Sequence, residues 1–426
     1  MAITDTIDDN LSLATARETV DQLNSVFYSQ FPYPWRPRAL DSAADPDFAR
    51  IVLNQNLGSW SHDMVPPNPK IWVAGCGTNQ AAITALNFPT ASVRGSDLSP
   101  ESLKLCASTA ADLGCTNLEL RNESINQADY TDQFDYVICT GVIHHNAEPE
   151  ATLQQLAKAL KPTGVLELMV YNRYHRILTS AFQKAVRLIA GTETTPNFEK
   201  ELSTTKALMD KFPATGLMQQ FVAQFKGSPD VAIADALMQP VENSYTVETL
   251  ADMAARCGLE YITPTPNALD RGLGNISWNM RFLQPELQQS YEKLPDSRRW
   301  QITNLLLCEN SPFLWMYLRR KDGPIEKKSE QEICDSFLRT RFKPNAVGRR
   351  SYILTKENKY TKVNSPLPYP GMPAKPEMRK IVETAKNDVP MGQILESMRI
   401  GRDFFTVNDL RLRLTTSIGP FLRAVA

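Results

Sequence analysis

The sequence predicts an α/β protein with a doubly wound, mostly parallel seven-stranded sheet, a helical lid insertion and a small C-terminal accessory domain. Two observations indicate this fold class. From Ile71 onward, seven short apolar runs alternate with helix-forming stretches, as in a parallel sheet with helices on both faces. The first run leads into "IWVAGCGTNQAAITA" (71–85), where a strand ends at two glycines and a helix begins.

Residues 1–70 are predicted to form an N-terminal helical lid segment. "LSLATARETVDQLNSVFYSQ" (11–30) has the apolar spacing of a helix, and the three prolines of "FPYPWRP" end it. The end of the helix and the proline segment together contain five aromatic side chains: Phe27, Tyr28, Phe31, Tyr33 and Trp35. Two interpretations stay open, a hydrophobic clasp on the sheet and a cover over a bound cation, which aromatic faces attract.

Residues 71–320 are predicted to form the main domain, in which strands and helices follow in order. The expected strands are "IWVAG", "ASVRGSDLS", "LELRNES", "FDYVICTG", "VLELMVY", the run after Gly258 and 311–320, with helices up to Asn87 and over 100–113 and 149–160. Residues 172–243 interrupt the alternation with largely helical sequence, which is too long for a simple connection. A further helix is expected between Thr246, its N-cap, and Gly258.

The polar, proline-containing stretch 321–330 is predicted to be a linker to an accessory domain at 331–426. That domain holds 17 Lys and Arg against 9 Asp and Glu, while the whole chain has a net charge of −1. The charge fits docking of an acidic partner and fits an ordinary solvated surface equally well.

Composition limits the remaining possibilities. No apolar run approaches the roughly 18 residues of a membrane span, and the first residues lack the features of a secretory signal, so a cytoplasmic protein without membrane contact is expected. The seven cysteines are scattered without a C-x-x-C pair, so we expect buried free thiols and no metal site. Aromatic and basic residues are not interleaved as they are in nucleic-acid-binding segments, so nucleic acid is not expected as a partner. The sequence does not determine the oligomeric state.

The glycine turn at 75–77 predicts a ligand beside the start of a helix, where a negative group is favoured. A nicotinamide dinucleotide site requires a third glycine where this chain has Gln80, so that fit is poor. An S-adenosylmethionine site requires G-x-G-x-G, and its last position holds Asn79, a residue that tolerates positive φ. Asp97 ends the second strand, where a carboxylate can accept both ribose hydroxyls.

Four segments together resemble the class I S-adenosylmethionine-dependent methyltransferases, with their Rossmann-like methyltransferase fold: "VAGCGTN", "GSDLSPESL", "FDYVICTGVIHHNAEP" and "LKPTGVLELMVYNR". The similarity is strong over residues 71–171 and extends to about residue 320. Two positions differ from many members, since Val73 replaces an acidic residue and Asn79 a glycine. The resemblance implies S-adenosyl-L-methionine as cofactor and S-adenosyl-L-homocysteine as product.

The resemblance also implies roles for individual residues. Gly75, Gly77 and Asn79 would flank the methionine part of the cofactor, and Asp97 with Leu98 would hold the ribose. The remaining expected cofactor contacts are Glu123 and Ser124 near adenine, Thr140 and Gly141 beside the sulfonium, and Tyr28, Tyr33 and Trp35 in the lid.

Two histidines follow the fourth strand at the rim of the sheet. His144 and His145 are candidate catalytic bases, because imidazole titrates near neutral pH, and structural hydrogen bonding is the alternative. The segment after the fifth strand commonly covers the acceptor pocket in this fold. The expected acceptor-side residues are Tyr171, Asn172, Arg173, Tyr174 and Glu242.

The methyl acceptor is left open between a protein and a small molecule. Length and pattern are similar to cyanobacterial methyltransferases, among which methylation of an asparagine side-chain amide on a phycobiliprotein β subunit is known. An acidic protein partner would suit the basic accessory domain. The alternatives are a nitrogen or oxygen of a small metabolite, or a regulatory protein that binds the cofactor without catalysis.

Overall fold

A computed structural model of the protein describes residues 5–274, 276–307 and 311–425. Its strands are short and mostly apolar. They are β1 (Ala39–Ala43), β2 (Lys70–Ala74), β3 (Ser92–Asp97), β4 (Leu118–Asn122), β5 (Phe134–Thr140), β6 (Leu160–Tyr171), β7 (Leu259–Pro264), β8 (Phe313–Arg320), β9 (Phe342–Pro344), β10 (Arg349–Leu354), β11 (Tyr360–Val363) and β12 (Leu422–Ala424).

The helices fall into a lid, two layers that flank the sheet, an insertion and a C-terminal group. They are α1 (Asp5–Gln30), α2 (Phe48–Asn56), α3 (Gln80–Asn87), α4 (Pro100–Leu113), α5 (Pro149–Ala159), α6 (Ile177–Ala190), α7 (Phe198–Asp210), α8 (Leu217–Ala223), α9 (Asp230–Leu237), α10 (Val247–Arg256), α11 (Ala268–Gly272), α12 (Pro285–Glu292), α13 (Asp296–Leu306), α14 (Glu330–Arg339), α15 (Pro376–Thr384), α16 (Met391–Ser397) and α17 (Phe404–Thr415).

The central sheet confirms the predicted fold class. Seven strands lie in the order β4-β3-β2-β5-β6-β8-β7, and β8 runs antiparallel to both of its neighbours while the other pairs are parallel. Both faces are covered, because β2 and β5 contribute buried apolar side chains to one core cluster with α5 and α10 and to another with α3 and α4. This two-sided burial explains why these strands read as continuous apolar runs.

Local capping signals in the sequence correspond to the helix ends. Ser99 caps α4 by accepting a hydrogen bond from the Ser102 amide, and Gly114 ends the helix with φ of 69°. Thr246 forms a capping box with Thr249 at the start of α10. The insertion is helical as predicted, with α6 to α9 packed around a small apolar cluster of their own.

The N-terminal segment differs from the all-helical lid that the sequence predicted for residues 1–70. Strand β1 lies within it and pairs antiparallel with β10, so that Ala39 lies opposite Ile353 and the sheet order is β1-β10-β11. The adjacent Trp60 packs against Phe337 and Phe342 of the C-terminal region. Helix α1 therefore lies over the strand ends of the main sheet, while residues 39–60 pack with the C-terminal region and, through Leu53 and Leu57, on a face of the main sheet.

Residues 331–425 form their own apolar core and also pack closely on α2. The side-chain amide of Gln55, fully buried, donates to the carbonyls of Thr415 (2.7 Å) and Leu422 (3.0 Å) and accepts from the Ala424 amide (2.9 Å). Helix α14 begins at Glu330, the last residue of the predicted linker 321–330, with Ser329 as its cap. The accessory region is therefore joined to the rest by buried hydrogen bonds as well as by the chain.

Two expectations from composition concern thiols and membranes. The six cysteines in the described ranges are free, and Cys308 lies outside those ranges. Within the described residues, no helix is both long enough and apolar enough to cross a membrane.

Replacing Gln55 by alanine should destabilise the protein. The change leaves two buried carbonyls and one buried amide without their partner, and each unsatisfied group costs about 1–3 kcal/mol. Urea denaturation of the full chain measures the loss of unfolding free energy. Gln393→Ala, on an exposed position of α16, is the matched control, and equal stability of the two variants would contradict the role of Gln55.

Candidate active site

The glycine turn after β2 is packed from two sides. Gly75 has φ of 72°, and a Cβ there would lie 2.4 Å from a methyl carbon of Val142 in the loop after β5. Gly77 has φ of 55°, and a Cβ there would lie 2.6 Å from the carbonyl oxygen of Tyr33. Both positions therefore require glycine, because side chains would collide with neighbouring segments as well as adopt a disfavoured φ.

Asn79 plays a different part from the predicted one. Its φ is −157°, so it does not occupy the positive-φ conformation that the sequence analysis assigned to it. Its side-chain amide instead donates to the carbonyl of Trp35 (3.3 Å), and the neighbouring Thr78 amide donates to the carbonyl of Tyr33 (3.2 Å). The side chain thus helps to hold the lid segment against the turn.

Helix α1 continues this lid across the carboxyl ends of the strands. Asn24 donates from Nδ2 to the carbonyl of His145 (2.8 Å), and Ser25 donates from Oγ to the carbonyl of Leu98 (2.9 Å). Ser124 donates to the carboxylate of Asp21 on the same helix. The helix is therefore fastened to the ends of β3, β4 and β5 together.

A cavity of about 670 Å³, here named the cofactor cavity, lies beneath the lid at these strand ends. It contains most of the residues that the sequence assigned to the cofactor. These are Tyr28, Tyr33, Gly75, Gly77, Asn79, Asp97, Leu98, Glu123, Ser124, Thr140 and Gly141. Trp35 does not line it, because its side chain is exposed and packs edge-on against Tyr33.

The aromatic residues of the lid divide between the two interpretations. Phe27 and Phe31 are buried, and the ring of Phe27 lies 5.1 Å from that of Phe198 in the insertion. Tyr28 and Tyr33 face the cofactor cavity, and Tyr28 bonds through its hydroxyl with the side chain of Gln239. The first pair therefore packs on the helical insertion and not on the sheet as the clasp was expected to, and the second pair lines the cavity.

Asp97 joins the end of β3 to the glycine turn. One carboxylate oxygen accepts from the Gly77 amide (2.8 Å) and the other accepts from the Ser99 amide (2.9 Å). Burial raises the pKa of this carboxyl group, while the backbone hydrogen bonds from Ser99 and Gly77 oppose the rise. Each carboxylate oxygen has further lone pairs, so Asp97 can also accept hydrogen bonds from ribose hydroxyls.

The other cofactor-side residues are held by neighbouring side chains. Glu123 accepts from the hydroxyl of Tyr130, and Thr140 accepts from the side-chain amide of Gln80 (2.8 Å). Gly141 has φ of 79° and donates its amide to the carbonyl of Met169 (3.1 Å). These contacts hold the ends of β4 and β5, where the contacts to the adenine and to the sulfonium were expected.

The two candidate bases occupy different environments. His144 is fully buried, does not line the cofactor cavity, and both ring nitrogens lack a hydrogen-bond partner among the described residues. Its ring packs 4.0 Å from that of Tyr171. Burial and the neighbouring His145 lower the pKa of His144 well below its ordinary value. Among the described residues His144 therefore packs against Tyr171 instead of making the structural hydrogen bonds that were the alternative to a catalytic role.

His145 lines the cofactor cavity and is also neutral at physiological pH. Burial lowers its pKa from 6.5 to about 4. Its Nδ1 lies 2.8 Å from the carbonyl oxygen of Val241, so this nitrogen carries the proton and donates. The ring is thereby oriented by the end of the helical insertion.

Of the predicted acceptor-side residues, only Tyr171 lines the cofactor cavity. Asn172 is buried and donates to the carbonyl of Ser311 (2.7 Å), while Arg173 and Tyr174 lie at the start of the insertion. Glu242 forms an ion pair with Arg176, whose guanidinium lies 4.1 Å from the ring centroid of Tyr171. These contacts give Asn172 and Glu242 structural roles next to the site.

Sequence reasoning missed several residues that line the cavity. The principal ones are Glu167, Met169, Asp235, Phe313 and Trp315. Glu167 had a visible signal, because it is the one charged residue in the apolar run "VLELMVY". Asp235 lies in the insertion, far along the chain from any motif, and only the packing of α9 brings it to the site.

Charge in the cofactor cavity is entirely acidic. Four carboxyl groups line it, those of Asp97, Glu123, Glu167 and Asp235, and its lining as described includes no lysine or arginine. Burial raises the pKa of Asp235 from 3.8 to about 7, and the nearby Arg176 limits the rise. Burial also raises the pKa of Glu167, while hydrogen bonds from Tyr136 and Trp315 oppose it.

The fold, the glycine turn and Asp97 together define an α/β domain that binds an adenosyl cofactor. Residues 73–212 match the family model described as "Methyltransferase domain". This match covers about a third of the chain and, together with the fold, supports S-adenosylmethionine as the ligand of the seven-stranded domain. The glycine turn, the Asp97 carboxylate and the acidic lining all suit a ligand that combines a ribose with a sulfonium cation.

Comparison with known proteins extends the similarity. An uncharacterized protein of Synechococcus sp. is 24% identical over 258 residues, which are 58% of this chain and 61% of the relative's length. The structure of PKMT2 from Rickettsia typhi in complex with AdoHcy shows the same fold, with a TM-score of 0.55, 16% identity, and coverage of 92% of this chain and 77% of that chain. The 1,6-didemethyltoxoflavin-N1-methyltransferase of Burkholderia thailandensis has a TM-score of 0.31 and 13% identity, over 64% of this chain and 79% of its own.

Replacing Asp97 by alanine should weaken binding of S-adenosylhomocysteine by about 10- to 100-fold. The change removes a charge-assisted acceptor for the ribose and releases the Gly77 amide. Titration calorimetry measures the affinity. Asp129→Ala, at an exposed aspartate outside the cavity, should bind like the wild type, and unchanged affinity in Asp97→Ala would refute the assignment.

His145→Asn should make the protein less sensitive to acid. A histidine whose pKa falls on folding destabilises the folded state once the unfolded chain takes up a proton, so unfolding free energy should fall as the pH drops from 6.5 to about 4. Asparagine keeps a donor for the Val241 carbonyl but does not titrate. Urea denaturation across this range should show a smaller fall in the variant, and an identical pH profile would contradict the shifted pKa.

Proposed function

We propose that the protein transfers a methyl group from S-adenosylmethionine to a nitrogen atom of a protein side chain. The specific candidate is the side-chain amide of an asparagine in a phycobiliprotein β subunit. The observation that carries the proposal is the acidic lining of the cofactor cavity, with Glu167 and Asp235 as carboxyl groups beyond those expected for the cofactor itself.

This lining favours a nitrogen acceptor over an acidic oxygen acceptor. An amide or amine nitrogen donates hydrogen bonds that a carboxyl group accepts. A carboxylate or phosphate acceptor would instead meet Glu167 and Asp235 without a lysine or arginine among the described lining residues to offset the repulsion. The site therefore suits an acceptor whose reacting atom carries hydrogen.

The side chains around Tyr171 indicate how the reaction is assisted. S-adenosylmethionine supplies a methyl group already activated by its positively charged sulfur. Transfer forms a bond from the acceptor nitrogen to the methyl carbon, breaks the bond from that carbon to sulfur, and releases a proton from the nitrogen. We assign the proton to the carboxylate of Asp235, because Asp235 lines the cofactor cavity and burial brings its pKa to about 7, near the pH at which a general base works best.

Positioning is the other contribution of the protein. The lid helix α1 covers the strand ends, and Tyr28, Tyr33 and Tyr171 enclose the cavity with aromatic surface. Such faces attract a sulfonium cation, and the closed lid excludes water from the acceptor. An amide nitrogen is a weak nucleophile, so alignment and exclusion of water supply much of the required rate enhancement.

A small nitrogen-containing metabolite is the second candidate acceptor. The fastening of α1 to the carbonyls of Leu98 and His145 favours it, because a covered cavity admits a small molecule readily. A protein acceptor requires instead that a side chain enters from another direction.

The function is tested with the purified full-length protein, S-adenosylmethionine labelled in its methyl group, and a phycobiliprotein β subunit. Mass spectrometry of peptides should locate one added methyl on an asparagine amide. A substrate with this asparagine changed to aspartate is the control and should accept none. Absence of transfer to the phycobiliprotein, with transfer to a metabolite fraction, would replace the first candidate by the second.

Asp235→Asn should lower the rate of methyl transfer by roughly 10²- to 10⁴-fold, while affinity for S-adenosylhomocysteine is retained. The wild-type rate should rise through pH 7 as Asp235 loses its proton, and the variant should lack this rise. Unfolding free energy gives a second measurement. A carboxyl group whose pKa rises from 3.8 to about 7 on folding lowers the unfolding free energy as the pH rises through this range, because the unfolded chain ionises first. The variant should therefore be more stable than the wild type above pH 7 but not below pH 3.8.

Asp230→Asn is the matched control, because Asp230 lies on the same helix α9 and is exposed. It should keep the wild-type rate and pH profile. An Asp235→Asn variant with an unchanged pH profile would reject Asp235 as the proton acceptor.

A further inference from the structure

A second cavity, also of about 670 Å³, lies beside the cofactor cavity on one face of the central sheet. Its floor is formed by side chains of β5, β6 and β8, including Tyr136 and Tyr317. Its walls are formed by α2, by α11 with the loop before it, and by the C-terminal region, which contributes Tyr369 and Ile418. No residue predicted from sequence motifs lines this cavity.

The two cavities have a common wall. Asn87, Glu167, Phe313 and Trp315 line both of them. Trp315 donates from its indole nitrogen to Glu167 (2.8 Å), and the hydroxyl of Tyr136 donates to the other carboxylate oxygen. The carboxyl group between the cavities is therefore held in place by two donors from the floor.

The end of β6 places this common wall near the transfer site. Met169 and Tyr171 follow Glu167 along the strand and line the cofactor cavity on the side where the resemblance places the sulfonium. Glu167 and Trp315 thus lie between the second cavity and the region of Thr140 and Tyr171. The adenosine and methionine parts of the cofactor need the rest of the cavity beneath the lid.

We infer that this second cavity is the acceptor cavity: a peptide segment lies in it and its reacting side chain passes Glu167 and Trp315 to reach the cofactor cavity. The inference rests on the proposed function, which requires an acceptor larger than the covered space beneath α1. A volume of about 670 Å³ lies within the range of about 300–1,000 Å³ typical of ligand sites.

The lining of the acceptor cavity suits a peptide. Aromatic side chains such as Phe48, Trp315 and Tyr369 offer apolar surface, and Asn87 and Asn267 offer amide groups for a peptide backbone. The exposed Arg271 also lines it, and the neighbouring C-terminal region has 17 basic against 9 acidic residues. The charged groups of its lining, Asp41, Glu167 and Arg271, include both signs, so the apolar and amide groups are the ones that would hold a peptide.

The route between the cavities is tested with analogues of S-adenosylhomocysteine in which nitrogen replaces sulfur. That nitrogen carries alkyl arms of increasing length, each ended by a phenyl group. In the full-length wild type, affinity measured by calorimetry should rise with arm length, by about tenfold or more over the series, because each methylene that enters the acceptor cavity is removed from water. In Ala49→Trp, which places an indole in the wall of that cavity, the rise should be lost.

The controls separate blockage of the acceptor cavity from damage to the protein. Ala49→Trp should bind S-adenosylhomocysteine itself as tightly as the wild type does. Ala107→Trp, on an exposed position of α4 outside both cavities, should keep the rise with arm length. Should Ala49→Trp fail to fold, Ala268→Trp places the same indole at an exposed position of the same wall. Affinity that is independent of arm length in the wild type, or that rises equally in the blocked variant, would overturn the inference.

The series does not depend on the identity of the acceptor, so its outcome is distinct from that of the functional test. Transfer to the phycobiliprotein together with a failed arm series would leave the proposed function standing and reject the acceptor cavity. A successful arm series without transfer to the phycobiliprotein would keep the cavity and reject that protein as its occupant.

Discussion

The site depends on the close approach of the glycine turn to two other segments. Because Gly75 and Gly77 have no side chains, Val142 and the carbonyl of Tyr33 come within reach of the turn, and the Gly77 amide is free to bond with Asp97. The end of β2 is thereby linked to the lid, to β3 and to the loop after β5. The cofactor cavity is the space that these linked segments leave between them, so its shape follows from one short turn.

Local patterns in the sequence were sufficient for the strands and helices of the main sheet domain and for the residues that follow its strands. The strands and helices of this domain could be predicted from their alternating patterns, and the starts of α4 and α10 from the caps Ser99 and Thr246. Each of these signals depends on neighbours within a few residues. Gly75 and Asp97 were found because motif spacing fixes them at the ends of adjacent strands. The confirmed methyltransferase fold follows from these same short-range signals.

The rest could not be predicted because it depends on contacts between distant parts of the chain. Asp235 reaches the cofactor cavity only through the packing of the insertion, and Trp315 only through the antiparallel pairing of β8 with β6. Asn79 lines the cofactor cavity, but it does so without the positive φ that was expected, because its side-chain amide donates to the carbonyl of Trp35. The sequence likewise contains no local signal that β1 pairs with β10.

The pairing of β1 with β10 has a consequence for the order in which the chain is made. Ala39 emerges from the ribosome long before Ile353, so β1 has no partner strand while more than three hundred residues are being synthesised. Contacts of such large sequence separation form late, and an unpaired strand edge favours association with other chains in the interval. The methyltransferase sheet, whose parallel pairs are closer in sequence, can assemble first and offer α3 and α4 as a surface on which the terminal strands later settle.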